Sequence, residues 1–165
     1  MTIILQGMCY SGKSTLGKMV AAKLDIPFLD SKDLFIKIHG ISEIDFLSLY
    51  GRDAFIEAEK ESIRGSFGEI VLSLGGSATY YPEEMKMLKE NNRIVWLNVP
   101  FKIIEERKEA ENKERPVVYP DGITTFQELY EQRAKLYPKY AHYTIDVEST
   151  ESPEKTRDKI ISSII

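Results

Sequence analysis

The sequence predicts an α/β domain built on about five parallel strands with helices on both faces. Three observations carry that expectation. Short apolar or β-branched runs at Thr2–Gln6, Ile26–Leu29, Ile70–Leu74, Arg93–Val99 and Tyr143–Val147 alternate with stretches of helical periodicity. Ile70–Leu74 is almost continuously apolar, the pattern of a strand covered on both faces rather than on one. The chain has 165 residues, 42% hydrophobic and 29% charged, which suits a single domain over 1–165 with a real core and a well-solvated surface.

The elements follow in order. Thr2–Gln6 is the first strand. It runs into Gly7-Met8-Cys9-Tyr10-Ser11-Gly12-Lys13-Ser14-Thr15, and Leu16, Met19, Val20 and Leu24 then recur at helical steps. Strand, glycine loop and helix form the context that the Gly-x-x-x-x-Gly-Lys-Ser fingerprint of a phosphate-binding loop requires. Gly7 and Gly12 allow backbone angles that turn successive N–H groups toward phosphate oxygens. The helix start near Lys13 adds its positive end. Lys13 is placed to reach the β- and γ-phosphates of a nucleotide, and the Ser14 hydroxyl to ligate Mg²⁺. Ser11 and Thr15 complete the expected nucleotide contacts.

Ile26–Leu29 is a short second strand with Asp30 at its carboxyl end. A short helix from Asp33 to about Ile38 stops at Gly40, and Ser42 caps another short helical piece. A longer helix spans Arg52 to about Ser66, with Phe55, Ala58, Glu59 and Ile63 along one side. Gly75-Gly76 follows the third strand. Pro82 opens a helix to about Glu90, and Pro100 ends the fourth strand before a charge-rich helix over 101–111. Residues 112–123 break the periodicity with Arg115-Pro116, Tyr119-Pro120 and Asp121-Gly122, which reads as a mobile lid. Thr124 caps a helix carrying Phe126, Leu129, Tyr130, Arg133 and Tyr137 that ends in the Pro138 region. Pro153 opens the last helix. Ligands of such a sheet bind at the carboxyl ends of its strands, where Gly7–Gly12, Asp30, Gly75–Gly76 and Asn98 fall.

Composition narrows the function. A net charge of −4 argues against nucleic acid as the main partner. The single cysteine, Cys9, excludes an internal disulfide and fits a reducing compartment. The first apolar run is too short for a leader, and no run reaches transmembrane length, so a cytoplasmic protein without a membrane partner is expected. His39 and His142 lack companions at metal-ligand spacing and read as surface or turn residues. A kinase needs a metal, a holder for the acceptor hydroxyl and cations for the transferring group. Asp30, Gly75-Gly76, Arg115 and Arg133 are the candidates for those tasks.

Taken together, these motifs resemble the shikimate kinases, small members of the P-loop kinases, nearly end to end. The family pattern has the phosphate loop, Asp-Ser/Thr-Asp after the second strand and a Gly-x-x-x-Phe-Arg-x-x-Glu helix. It continues with a Gly-Gly-Gly turn, a lid with Arg-Pro, and an Arg-x-Pro-Leu-Tyr helix. This chain has Gly7–Ser14, Asp30-Ser31-Lys32, Gly51 with Phe55-Ile56-Glu57-Ala58-Glu59, Gly75-Gly76-Ser77, Glu114-Arg115-Pro116 and Arg133-Ala134-Lys135-Leu136-Tyr137. The resemblance implies a three-layer P-loop kinase fold, with a substrate-binding helical segment at about 33–65. It implies transfer of the ATP γ-phosphoryl group to the 3-hydroxyl of shikimate; a monomer is expected rather than an oligomer.

By the same resemblance, Lys13 and Arg115 stabilise the transferring group. Ser14 and Asp30 organise Mg²⁺, with Asp30 also near the acceptor, and Gly75, Gly76 and Arg133 contact the substrate. Three positions depart from the family: Lys32 replaces a carboxylate, Ile56 an arginine that grips the substrate carboxylate, and Ser77 the third glycine. Arg52, one helical turn before Ile56, is the candidate to compensate, and Lys32 joins the expected substrate contacts. The substrate expected is a small hydroxylated anion, shikimate first. A different hydroxy acid or polyol such as gluconate, and a non-catalytic nucleotide- or metabolite-binding relative, are the alternatives.

Overall fold

The computed structural model describes residues 1–111, 113 and 115–165; Asn112 and Glu114, part of the expected lid, lie outside the described residues. Five strands form one sheet in the order β2-β3-β1-β4-β5: β1 Ile3–Gln6, β2 Phe28–Asp30, β3 Val71–Ser73, β4 Arg93–Asn98 and β5 Tyr143–Asp146. Every pairing is parallel. The helices are α1 Lys13–Leu24, α2 Ser31–His39, α3 Glu43–Ile63, α4 Pro82–Asn91, α5 Phe101–Ala110, α6 Phe126–Tyr140 and α7 Pro153–Ile164.

The apolar runs are continuous because both faces of the sheet are covered. Ile3 and Leu5 point to one side, into a cluster with Leu16 and Val20 of α1, Ile104 of α5, Leu129 of α6 and Ile160 of α7. Ile4, between them, points to the other side with Leu72, Ile94, and Met85 and Leu88 of α4. This is the two-residue period of a strand expressed against two cores. Each fully buried Leu or Ile stabilises by about 1.5–3 kcal/mol relative to exposure. A charged residue at Ile4 or Leu5, both without solvent exposure, would therefore break one face outright.

After β3 the chain crosses β1 to add β4 on the other side. The carboxyl ends of β1, β2 and β3 consequently open onto one crevice.

Local chemistry sets the element ends, and several differ from expectation. Asp30 is itself the last residue of β2 and caps α2, its carboxylate accepting from the Lys32 N–H at 3.0 Å. The helix therefore starts at Ser31 rather than Asp33. Ser42 caps α3 as expected, accepting from the Asp45 N–H. The two helical pieces expected on either side of Gly51 run together, with a break at Gly51 (φ +83°, ψ 177°), a conformation costly for any residue with a Cβ. Thr125, not Thr124, caps α6 in a reciprocal capping box with Glu128. Pro138 sits in the last turn of α6, and the helix continues to Tyr140. Phe35, Phe55 and Ala58 lock α2 to α3, and Val118 of the 112–123 segment packs on them.

Candidate active site

A cavity of about 410 Å³ lies over the carboxyl ends of β1, β2 and β3. Its walls come from the phosphate loop, the start of α2, both pieces of α3, the turn after β3, the 112–123 segment and α6.

The phosphate loop occupies one end. Gly12 (φ +89°) precedes α1, whose first turn holds no acidic residue and, among the described residues, no side-chain cap. The first N–H groups of α1 and the positive end of its dipole are thus left for an anion. Lys13 is buried, and its ammonium donates to the carbonyls of Gly7 and Met8, each at 2.8 Å, and to Ser11 Oγ at 3.4 Å. Burial lowers its pKa to about 8, and Arg133 and Arg115 push the same way against Cys9 and Asp30. Gly7 and Ser11 therefore hold Lys13 rather than line the wall, whereas Gly12, Ser14 and Thr15 line it.

The Ser14 hydroxyl donates to Asp30 Oδ2. A hydroxyl beside a carboxylate next to a phosphate cradle is the hard-oxygen set that suits Mg²⁺, which keeps most of its own water. Among the described residues no cluster of three or more His, Cys, Asp or Glu forms a metal cage.

The opposite end is built from distant segments. Leu129, Arg133 and Tyr137, each four apart, form the buried stripe of α6. Arg133 is only 3% exposed; its guanidinium lies over the Tyr80 ring at 5.4 Å and reaches Met8 Sδ at 3.8 Å. Its Nε has no hydrogen-bond partner among the described residues. A buried unpaired donor costs about 1–3 kcal/mol, a cost that an anionic ligand in the cavity would offset. Gly76 runs against this group: a Cβ there would sit 2.7 Å from Arg133 Nη1, so only glycine fits without shifting the arginine. The Gly76 carbonyl accepts from Tyr137 Oη at 2.9 Å.

Glu59 completes this end. It accepts from Ser77 Oγ at 2.7 and 2.9 Å and from the Tyr81 hydroxyl. Burial raises its pKa, and the two hydroxyls partly oppose that.

Arg115, from the expected lid, lines the cavity with its guanidinium 4.3 Å over the Tyr10 ring, held by Glu111 in a two-nitrogen pair at 2.8 Å. The structure thus gathers Gly12, Lys13, Ser14, Thr15, Asp30, Lys32, Gly75, Gly76, Arg115 and Arg133 around one cavity.

Arg52 is the correction. It lies outside the cavity, exposed, and bonds Asp121 at 3.0 Å. Ile56, one helical turn on, does not line the cavity either; it packs against the Ile4–Leu72 core. Sequence reasoning missed Glu43, which lines the cavity and reads in sequence as an ordinary first-turn acid behind its Ser42 cap. Burial, then the carboxyl of Glu59, pushes Glu43 up to about 7; Lys32 opposes and Asp30 adds to the rise.

Comparison with known proteins decides the family. The shikimate kinase family profile matches residues 10–165. The chain belongs to the shikimate kinase family. A curated shikimate kinase of Persephonella marina is 33% identical over 164 residues, covering 98% of both chains. The crystal structure of the shikimate kinase of Aquifex aeolicus superposes with a TM-score of 0.82 at 30% identity, covering 99% of this chain and 96% of that one. A gluconokinase from Sinorhizobium meliloti shares the fold, at a TM-score of 0.58 and 16% identity, over 99% of this chain and 90% of that one. The chain is accordingly a phosphotransferase with an alcohol group as acceptor, and ATP is the family's co-substrate. Among the described residues no helix is long and apolar enough to cross a membrane.

Proposed function

We propose that this enzyme transfers the γ-phosphoryl group of ATP to a ring hydroxyl of shikimate. The observation that carries the reading is Arg133: a buried guanidinium with an unpartnered donor shares one cavity with Lys13, Ser14 and Asp30. An anionic acceptor that satisfies Arg133 is held at one end of the cavity while the phosphates lie at the other. In the transfer, a P–O bond forms to the acceptor oxygen and the bond to the β,γ-bridging oxygen breaks, releasing ADP. In this reading Asp30 takes the hydroxyl proton. Lys13 and Arg115 counter the charge on the transferring group. Ser14 and Asp30 would hold Mg²⁺, which supplies further charge neutralisation on the phosphates.

Ile56 favours a second reading, a different hydroxy acid such as gluconate, because an aliphatic side chain turned into the core leaves the acceptor end without a second arginine. Steady-state ADP release with millimolar shikimate, and separately with gluconate, tests both. Turnover at ordinary kinase rates with shikimate and none with gluconate is expected; the reverse would transfer the assignment to gluconate.

A further inference from the structure

The acceptor end of the cavity holds more carboxyl groups than the transfer chemistry uses, and they are not equivalent. Asp30 is committed on both oxygens, to Ser14 and to the Lys32 N–H. Glu59 is committed to Ser77 and Tyr81. Glu43 lines the same cavity, half-buried, and among the described residues its carboxyl group has no hydrogen-bond or ion-pair partner. Lining the same cavity are the Glu59 carboxyl from the second piece of α3, Lys32 from α2 and Asp30 from the end of β2. Position 32, at the start of α2, carries the opposite charge, and Lys32 also lines the cavity.

A polyhydroxylated anion anchored by its charge on Arg133 must direct hydroxyls at other walls. A buried hydroxyl without an acceptor is costly, so the wall that receives them needs a free oxygen acceptor. The geometry points to Glu43 as a specificity-determining residue that accepts hydrogen bonds from acceptor hydroxyls other than the one phosphorylated, with Lys32 as its electrostatic partner.

This inference rests on the reading of the chain as a kinase of a hydroxylated anion. It goes further in assigning a site residue that none of the motifs mark. It also gives Lys32 a physical counterpart: a carboxyl group at the start of α3 that lines the same cavity.

The test compares the wild type with Glu43→Gln in steady-state kinetics. The acceptors are shikimate, gluconate and shikimate analogues lacking one non-reacting hydroxyl. With shikimate, Glu43→Gln is expected to raise the acceptor KM about 10–100-fold, as for a lost hydrogen bond to a charged group. KM for ATP and kcat should stay within about threefold.

The readout that a merely structural role would not move is the coupling. Removing the contacted hydroxyl should weaken the wild type strongly and Glu43→Gln hardly at all. Glu43→Asp, which retains the charge, serves as the second variant and should recover part of the affinity. An unchanged acceptor KM in a folded Glu43→Gln overturns the role of Glu43 while the kinase assignment stands. If wild type ignores shikimate but phosphorylates gluconate, the shikimate reading falls and Glu43 is judged by the same KM criterion on gluconate. If it phosphorylates neither, both fall.

Discussion

The two ends of the cavity are made differently. The phosphate end is mostly local: residues 7–15 are one loop and one helix start directly after β1, joined from afar by Asp30 and by Arg115 over the Tyr10 ring. The acceptor end is assembled from Lys32, Glu43, Phe55, Glu59, Gly75–Gly76 and Arg133, which come from α2, α3, the turn after β3 and α6. Two of the three departures from the family pattern, Lys32 and Ser77, line this second end, and the third, Ile56, packs against the Ile4–Leu72 core. Phosphoryl transfer fixes the geometry of every group around the phosphates, whereas an acceptor can be gripped from several walls. A wall contributed by separate elements can exchange a residue on one for a residue on another.

Substitutions test that division, the strongest first. Lys13→Ala should lower kcat by about 10²–10³-fold or more, as expected when charge stabilisation of the transition state is removed. Unfolding curves should show a folded protein; near-wild-type turnover in coupled ADP assays would erase the distinction at its firmest point. Arg133→Met should act on the acceptor and not on the nucleotide. Its loss should raise the acceptor KM by at least about 30-fold, the scale of about 2–5 kcal/mol for a buried charge pair. Nucleotide affinity by calorimetry should be unchanged, and a parallel loss of ATP binding would mean that the two ends are not separable. Tyr81→Phe leaves Glu59 with Ser77 as its hydroxyl donor. A cost of about 1–3 kcal/mol is expected, with a melting temperature lower by about 2–4 °C per kcal/mol.

A smaller effect is a pH dependence. Glu43 titrates near 7 in the fold against 4.5 as an ordinary carboxyl, raised by burial and Glu59, then Asp30, and opposed by Lys32. Between those values the folded chain binds the proton and the unfolded chain does not. Stability from this group is therefore full at low pH and lost as pH rises through that window. Glu43→Gln should flatten that part of a melting-temperature profile and raise the value at pH 8. Arg52→Ala closes the series. The Arg52–Asp121 pair is exposed, so less than about 0.5 kcal/mol and no change in acceptor KM are expected. A large KM effect would return Arg52 to the cavity.

The same division explains what could be read in advance. The phosphate loop was legible because its function is a property of consecutive backbone N–H groups, and Asp30 because it ends a strand. Arg133 was legible because the spacing from Leu129 to Tyr137 fixes a face of α6. Glu43 was not, since an acid behind a serine cap has a sufficient local reason to be there, and its exposure to the cavity depends on how α3 docks. Arg52 misled because helical spacing relates it to Ile56 but does not say which way Ile56 points. The break at Gly51 and the core contacts of Ile56 settle that. Thr124 and Thr125 compete for one cap, and only the reciprocal bond of Glu128 chooses between them.

The central strand has a consequence in time. β1 carries the phosphate loop and is made before the segments it pairs with: Ile3 pairs with Val71 on one side and Arg93 on the other, and the Gln6 amide donates to the Tyr137 carbonyl. Such distant pairings are slow to close and cannot form before their partners are made. A strand made before its partners is thus secured only after them, and until then its apolar Ile3-Ile4-Leu5 run is a bare edge open to pairing with other chains.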